Sequence, residues 1–128
     1  MSIVFKGIDH IQIAAPKDCE EKARMFYGNV LGLEEIPKPE NLRGRGGCWF
    51  QLGPQEIHIG VQKDFVPASK AHPGLLVDDL DTLKENLKKN EIEIKEDTPI
   101  KGRNRIFVSD PFGNRIEFLE FISTERTS

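Results

Sequence analysis

The stretch Asp110-Pro111-Phe112-Gly113-Asn114-Arg115-Ile116-Glu117 decides how the rest of the chain is read. Asp at its head, Pro in second place and a following Gly suit a tight turn with one left-handed residue. Apolar residues alternate or cluster on both sides, so residues 105–109 and 115–121 read as the two strands of a hairpin. Moving towards the N-terminus, residues 98–104 form a loop and residues 91–95 a short strand. Before these, Asp79 is placed to cap a helix carrying Leu80, Leu83 and Leu87 on one face, with Asn90 at its end. Residues 71–77 supply the strand in front of that helix. The second half of the chain is therefore read as βαβββ.

The first half repeats the order. Residues 8–14 alternate, with Ile8, His10, Gln12 and Ala14 on one face and Asp9, Ile11 and Ile13 on the other. Pro16 ends that strand. Asp18 and Glu21 have capping-box spacing, and Ala23, Phe26, Tyr27, Val30 and Leu31 follow a helical stripe. Gly32 suits a left-handed stop. Short strands are expected at residues 33–36, 48–52 and 56–61, separated by a loop over 37–47 and a turn over 53–55. Residues 62–70 read as the linker. The chain is thus one domain over residues 1–128, built of a module at 5–62 and a module at 70–122. The polar tail after Ile122 is expected to fray.

Composition sets the outer bounds. The chain has 128 residues, 38% hydrophobic and 30% charged, with a net charge of −3, which suits a small globular domain and disfavours a nucleic-acid or anionic-membrane partner. Two cysteines, Cys19 and Cys48, are too few for a disulfide framework. The N-terminal residues lack the apolar run of a signal peptide, and no segment reaches the ~20 apolar residues of a membrane span. A cytoplasmic protein is expected.

The chemistry-bearing residues fall on equivalent strands. His10 lies in the first strand of the first module and His72 at the start of the first strand of the second. His58 lies in the last strand of the first module and Glu117 in the last strand of the second. Imidazole and carboxylate together suit borderline divalent metals such as Zn, Ni, Co, Fe or Mn, and three protein ligands leave a position for substrate or water. Any one of these residues taken alone could be an ordinary core or surface group, and Glu117 a solvated outer-face carboxylate; their joint placement favours a site. Gln12 shares a face with His10, Trp49 with Gln51, and Arg105 with Phe107, which makes these five the candidate substrate pocket. Arg105 beside a metal would suit a carboxylate or phosphate group. Arg43, Arg45 and Arg103 read as solvated surface residues.

Four strings carry a family resemblance: Asp9-His10-Ile11-Gln12-Ile13, Phe26-Tyr27-Gly28-Asn29-Val30-Leu31-Gly32-Leu33, Val77-Asp78-Asp79-Leu80-Asp81 and the Asp110–Glu117 stretch. Over about residues 7–121 the chain resembles the vicinal oxygen chelate superfamily, which includes glyoxalases, bleomycin-resistance proteins and extradiol dioxygenases. The resemblance implies an α+β fold in which two βαβββ modules form a curved mixed-sheet cup with helices outside, paired in a homodimer. It implies metal-ligand roles for His10, His72 and Glu117, with a more variable fourth position at His58. The glyoxalase I pattern looks for Glu there, which speaks against lactoylglutathione lyase activity. The loop over 100–104 lacks the pattern of fosfomycin-modifying members. Tyr27, the sole tyrosine, does not match the active-site tyrosine of the dioxygenases. His58 is left with three roles: fourth ligand, acid/base, or plain pocket residue. The expected function is a small metal-dependent lyase-, isomerase- or dioxygenase-like enzyme acting on a small oxygenated substrate through bidentate chelation. The alternative is a metal-free drug- or metabolite-binding protein.

Overall fold

The structure is a computed structural model that describes residues 2–122. The polar tail beyond Ile122 lies outside the described residues. Main-chain contacts divide the chain into two compact units, Met1–Phe65 and Val66–Ser128. Each mixes parallel and antiparallel strand pairs with one principal helix, so the fold class is α+β.

In the first unit, β1 (His10–Ala15) is followed by a helix, α1, that is α-helical over Glu20–Ala23 and widens to π geometry over Arg24–Val30. Strands β2 (Glu35–Ile36), β3 (Cys48–Leu52) and β4 (Gln55–Val61) complete a sheet of order β1-β4-β3-β2. β1 and β4 are parallel; the other pairs are antiparallel. Alternation sorts the side chains. Ile13, Ala15, Cys48, Phe50, Ile57 and Ile59 are buried, as are Ala23, Phe26, Tyr27 and Val30 of α1. Each large apolar side chain so removed from water contributes about 1.5–3 kcal/mol. The other face of the sheet carries His10, Gln12, Trp49, Gln51, Glu56 and His58, because β1 and β4 pair His10 with Glu56 and Gln12 with His58, and β3 and β4 pair Trp49 with His58.

The capping box expected at the start of α1 does not form. Asp18 takes a left-handed backbone (φ 63°), and the N-cap is Cys19 without a side-chain bond. Glu20 turns away from the helix to accept a 2.6 Å hydrogen bond from the Gly47 amide. The loop over 37–47 contains a 3₁₀ turn, Glu40–Arg45. Gly47 must be glycine: its φ is +83°, and a Cβ there would stand 2.0 Å from the Ile59 carbonyl oxygen.

In the second unit, β5 (Gly74–Leu76), β6 (Arg103–Ser109) and β7 (Arg115–Phe121) form a sheet of order β5-β7-β6. Helix α2 (Leu80–Lys89) buries Leu80 and Leu87, and Asp79 caps it by accepting from the Thr82 amide at 3.1 Å. Two expected strands are shorter than their patterns. The strand over 71–77 begins only at Gly74, since Pro73 has no N–H to donate to a ladder. His72 therefore stands in the segment ahead of β5. The strand over 91–95 is reduced to a bridge between Lys95 and Phe107. In the hairpin turn, the buried Asp110 carboxylate accepts from the Phe112 and Asn114 amides at 2.9 and 2.8 Å, and Gly113 adopts φ +90°.

Candidate functional site

The two units each present part of the predicted constellation. In the first, three rings stack across three strands. The Trp49 indole and the His58 imidazole are stacked nearly parallel, with centroids 3.6 Å apart and planes at 3°. On the other side of His58, the His10 ring lies at 4.1 Å and 19°. Trp49 pairs directly with His58, and His10, which pairs with Glu56, is a diagonal neighbour of His58, so the three rings stack on one face. His58 is almost wholly buried, and its Nε2 meets Glu56 Oε1 at 2.8 Å. An ionised carboxylate only accepts, so Nε2 carries the proton and Nδ1 is left as a lone pair. His10 is oriented by Asp9 Oδ2, 2.9 Å from its Nδ1, which leaves Nε2 open.

In the second unit, His72 and Glu117 meet. Glu117 pairs with Gly74 across β5 and with Phe107 across β6. A Cβ on Gly74 would stand 3.8 Å from Glu117 Oε1, so glycine leaves the carboxylate open on that side. His72 Nδ1 lies 2.9 Å from the Lys70 carbonyl oxygen, and Nε2 lies 2.9 Å from Glu117 Oε1. A carbonyl can only accept, so Nδ1 must carry a hydrogen. The Nε2 lone pair and an anionic oxygen then face each other, and a cation, proton or metal, must lie between them. Two atoms each roughly 2.0–2.2 Å from one ion and at right angles would be separated by about this distance. The donor set thus fits a divalent metal.

Phe107 supports the pair from below. Its ring is edge-on to His72 at 5.1 Å, and the Arg115 guanidinium lies 4.0 Å over its centroid. Arg105 approaches the second oxygen of Glu117 at 3.6 Å through Nη1 and donates from Nη2 to the Thr98 carbonyl at 2.5 Å. Its Nε, like that of Arg103, is buried without a partner among the described residues. Arg103 packs its guanidinium over Phe121 at 5.2 Å, so it is less solvated than its sequence context suggests.

Of the pocket candidates, Trp49 is fixed in the stack. Gln51 shares its face but spends its amide on the β3–β4 turn, donating to the Gly53 and Gln55 carbonyls at 2.8 and 3.0 Å. Gln12 lies across Gly60, where a Cβ would stand 2.4 Å from its Nε2. Gly60 therefore makes room for the amide. Beside it opens a cavity of about 220 Å³ in the first unit, lined by Gln12, Trp49 and Val61 together with Lys38, Leu42 and Arg45 of the loop. The sequence did not point to Lys38, or to Glu56 as the partner of His58; Arg45, read as a solvated surface residue, is indeed exposed and borders the cavity. For Glu56 a signal existed, since it sits two residues from His58 on the same strand face. Among the described residues, three or more His, Cys, Asp or Glu side chains do not gather into a metal-holding cluster within either unit. No described helix is long and apolar enough to cross a membrane.

Two mixed-sheet units with imidazole and carboxylate groups on or just ahead of their first strands and on their last strands point to one class, and sequence comparison agrees. The profile of the Glyoxalase/Bleomycin resistance protein/Dioxygenase superfamily matches residues 7–118, and the chain belongs to that superfamily. Among solved structures it is similar to a glyoxalase family protein from Bacillus anthracis, with 55% identity, a TM-score of 0.92, and coverage of 95% of this chain and 100% of the other. Lactoylglutathione lyase from Agrobacterium tumefaciens shares the fold at 22% identity and TM-score 0.69, covering 89% and 92%. So does the fosfomycin resistance protein FosX from Listeria monocytogenes, at 20% identity and TM-score 0.75, covering 96% and 99%. No curated protein matches the chain.

Proposed function

We propose that this protein is a small metal-dependent enzyme of the vicinal oxygen chelate type, acting on a small oxygenated substrate that binds a divalent ion through two oxygens. His72 and Glu117 supply two ligands. His10, from the first module of the same chain or of a second copy, supplies the third. The observation that carries this reading is the 2.9 Å approach of His72 Nε2 to Glu117 Oε1, two acceptors that need a cation between them. Bound there, the ion would polarise the substrate oxygens and stabilise an enolate or oxyanion.

The chain's own residues do the rest. The Lys70 carbonyl fixes the His72 tautomer. Arg105 offsets charge on the second Glu117 oxygen. His58, clamped between Trp49 and His10 and tied to Glu56, offers Nδ1 to take or give a proton, or to serve as a fourth ligand.

The test is metal uptake by calorimetry on chelator-treated protein purified without a histidine tag. Wild type is expected to bind at least one of Zn, Ni, Co, Fe and Mn at one site per chain. His72→Ala and Glu117→Gln should each weaken that affinity by roughly tenfold to a hundredfold or more. Failure of the wild type to take up any of the five ions would overturn the proposal in favour of metal-free metabolite binding.

A further inference from the structure

The cavity beside Gln12 differs in character from the imidazole–carboxylate chemistry next to it. Its charged lining is wholly cationic: Lys38 and Arg45 reach it, and no carboxylate is among its lining residues. In the 3₁₀ turn Glu40–Arg45, Arg45 is exposed and borders the cavity, whereas Arg43 is not among its lining residues. At three residues per turn, Leu42 and Arg45 fall on one side. Arg43 lies outside the lining and donates to the Lys38 carbonyl at 3.2 Å.

Lys38 donates one N–H to the Gly46 carbonyl, which fixes the ammonium at the cavity and leaves it two further donors. Arg24, Arg105 and Arg115 all have carboxylate partners. Arg45 and Gln12 are exposed, and neither side chain has a hydrogen-bond or ion-pair partner among the described residues, so both can exchange water for a ligand. Three polar groups, two of them cationic, thus converge on one space with donors to spare. Leu42, Val61 and the indole of Trp49 supply apolar wall. At about 220 Å³ the space is smaller than the roughly 300–1,000 Å³ of sites for drug-sized ligands.

We infer that this cavity binds the anionic group of a small organic acid, a carboxylate or phosphonate whose short apolar part packs against Trp49 and Leu42. Arg45 and Lys38 hold the charge and Gln12 a further oxygen. The inference names the substrate class of the enzyme proposed above and rests on that reading for its catalytic meaning. The binding itself requires no metal.

Trp49 is the only tryptophan in the chain and lines the cavity, so its fluorescence reports occupancy directly. The probes are lactate and methylphosphonate, which separate the two anion chemistries, and lactamide, a neutral analogue of lactate. Each is titrated at constant ionic strength into chelator-treated and manganese-exposed protein. A saturable change is expected with at least one anion and none with lactamide. Arg45→Gln, which removes no hydrogen bond or ion pair among the described residues, should weaken that anion at least tenfold with an unchanged melting temperature. Lys38→Gln should do likewise, and Lys63→Gln should have no effect. A lack of saturation with both anions, an equal response to lactamide, or unaltered affinity in Arg45→Gln would each overturn the inference. Loss of the anion response with metal uptake intact removes the subsite alone. An intact anion response in protein that takes up no metal removes the metal reading alone.

Discussion

Asp110 shows what one buried side chain contributes. Its carboxylate takes hydrogen bonds from two main-chain amides and from Asn114 Nδ2 at 2.9 Å, inside a turn that leads directly into the strand carrying Glu117. Asp110→Ala leaves those donors without an acceptor, at a cost of roughly 2–4 kcal/mol. Urea unfolding should show a lower midpoint with an unchanged slope. The two thiols give a complementary prediction. Burial, followed by the nearby charge of Glu35, pushes the Cys48 thiol up to about 12, and burial followed by Glu20 raises that of Cys19. Both stay protonated at neutral pH and are out of reach of reagents. Iodoacetamide should leave native protein unlabelled over minutes at pH 8, and mass spectrometry should find both cysteines labelled in urea.

At the scale of elements, the period-2 and helical patterns carried most of the information. β3 and β7 have the bounds their alternation predicts, and alternation puts His10 and Gln12 on one face, which the β1–β4 register joins to His58. Periodicity says nothing about a loop, so Lys38 and Arg45 were legible only as surface charge, and the cavity they border was not legible at all. The Glu20–Gly47 bond between α1 and that loop is of the same kind, invisible to local spacing. It also carries a pH dependence. The Gly47 amide holds the Glu20 carboxyl below the ordinary glutamate range. Since the folded pKa is depressed, this contribution is present above the unfolded pKa and lost as pH falls through the folded one. Glu20→Gln should flatten the decline in melting temperature at acid pH. The end of α2 gives the other element prediction. Ile92 N bonds the Leu87 carbonyl and Glu91 N that of Lys88, a Schellman closure whose left-handed residue is Glu91 (φ 59°), where glycine is usual. Asn90 is the C-cap that the sequence pointed to, and the left-handed residue follows it. Glu91→Gly should raise stability by about 1 kcal/mol in thermal or urea unfolding.

For the whole molecule the open question is assembly. Ile3, Val4 and Phe5 are each at least 80% exposed and Ile8 65%. A run of large apolar side chains this bare is uncommon on a protein that works alone. The strand orders also leave β1 and β2 at the margins of one sheet and β5 and β6 at those of the other, edges that a second copy can cover. We expect a homodimer, seen as twice the 14.5 kDa chain mass in sedimentation equilibrium at micromolar concentration. Val4→Asp with Phe5→Asp should shift it towards monomer. Assembly then decides where the third metal ligand originates, because His10 and the His72–Glu117 pair lie in different modules. His10→Ala and His72→Ala should each lose metal uptake alone. If each site takes His10 from one copy and the pair from the other, a mixed dimer of the two variants holds one site with both defects and one intact site. Random mixing of separately purified variants would then restore uptake at about a quarter of the sites. If His10 and the pair belong to one chain, every site in every dimer keeps one defect, and mixing restores nothing. Calorimetric titration of the unfolded and co-refolded mixture against manganese distinguishes the two, with co-refolded wild type as the reference.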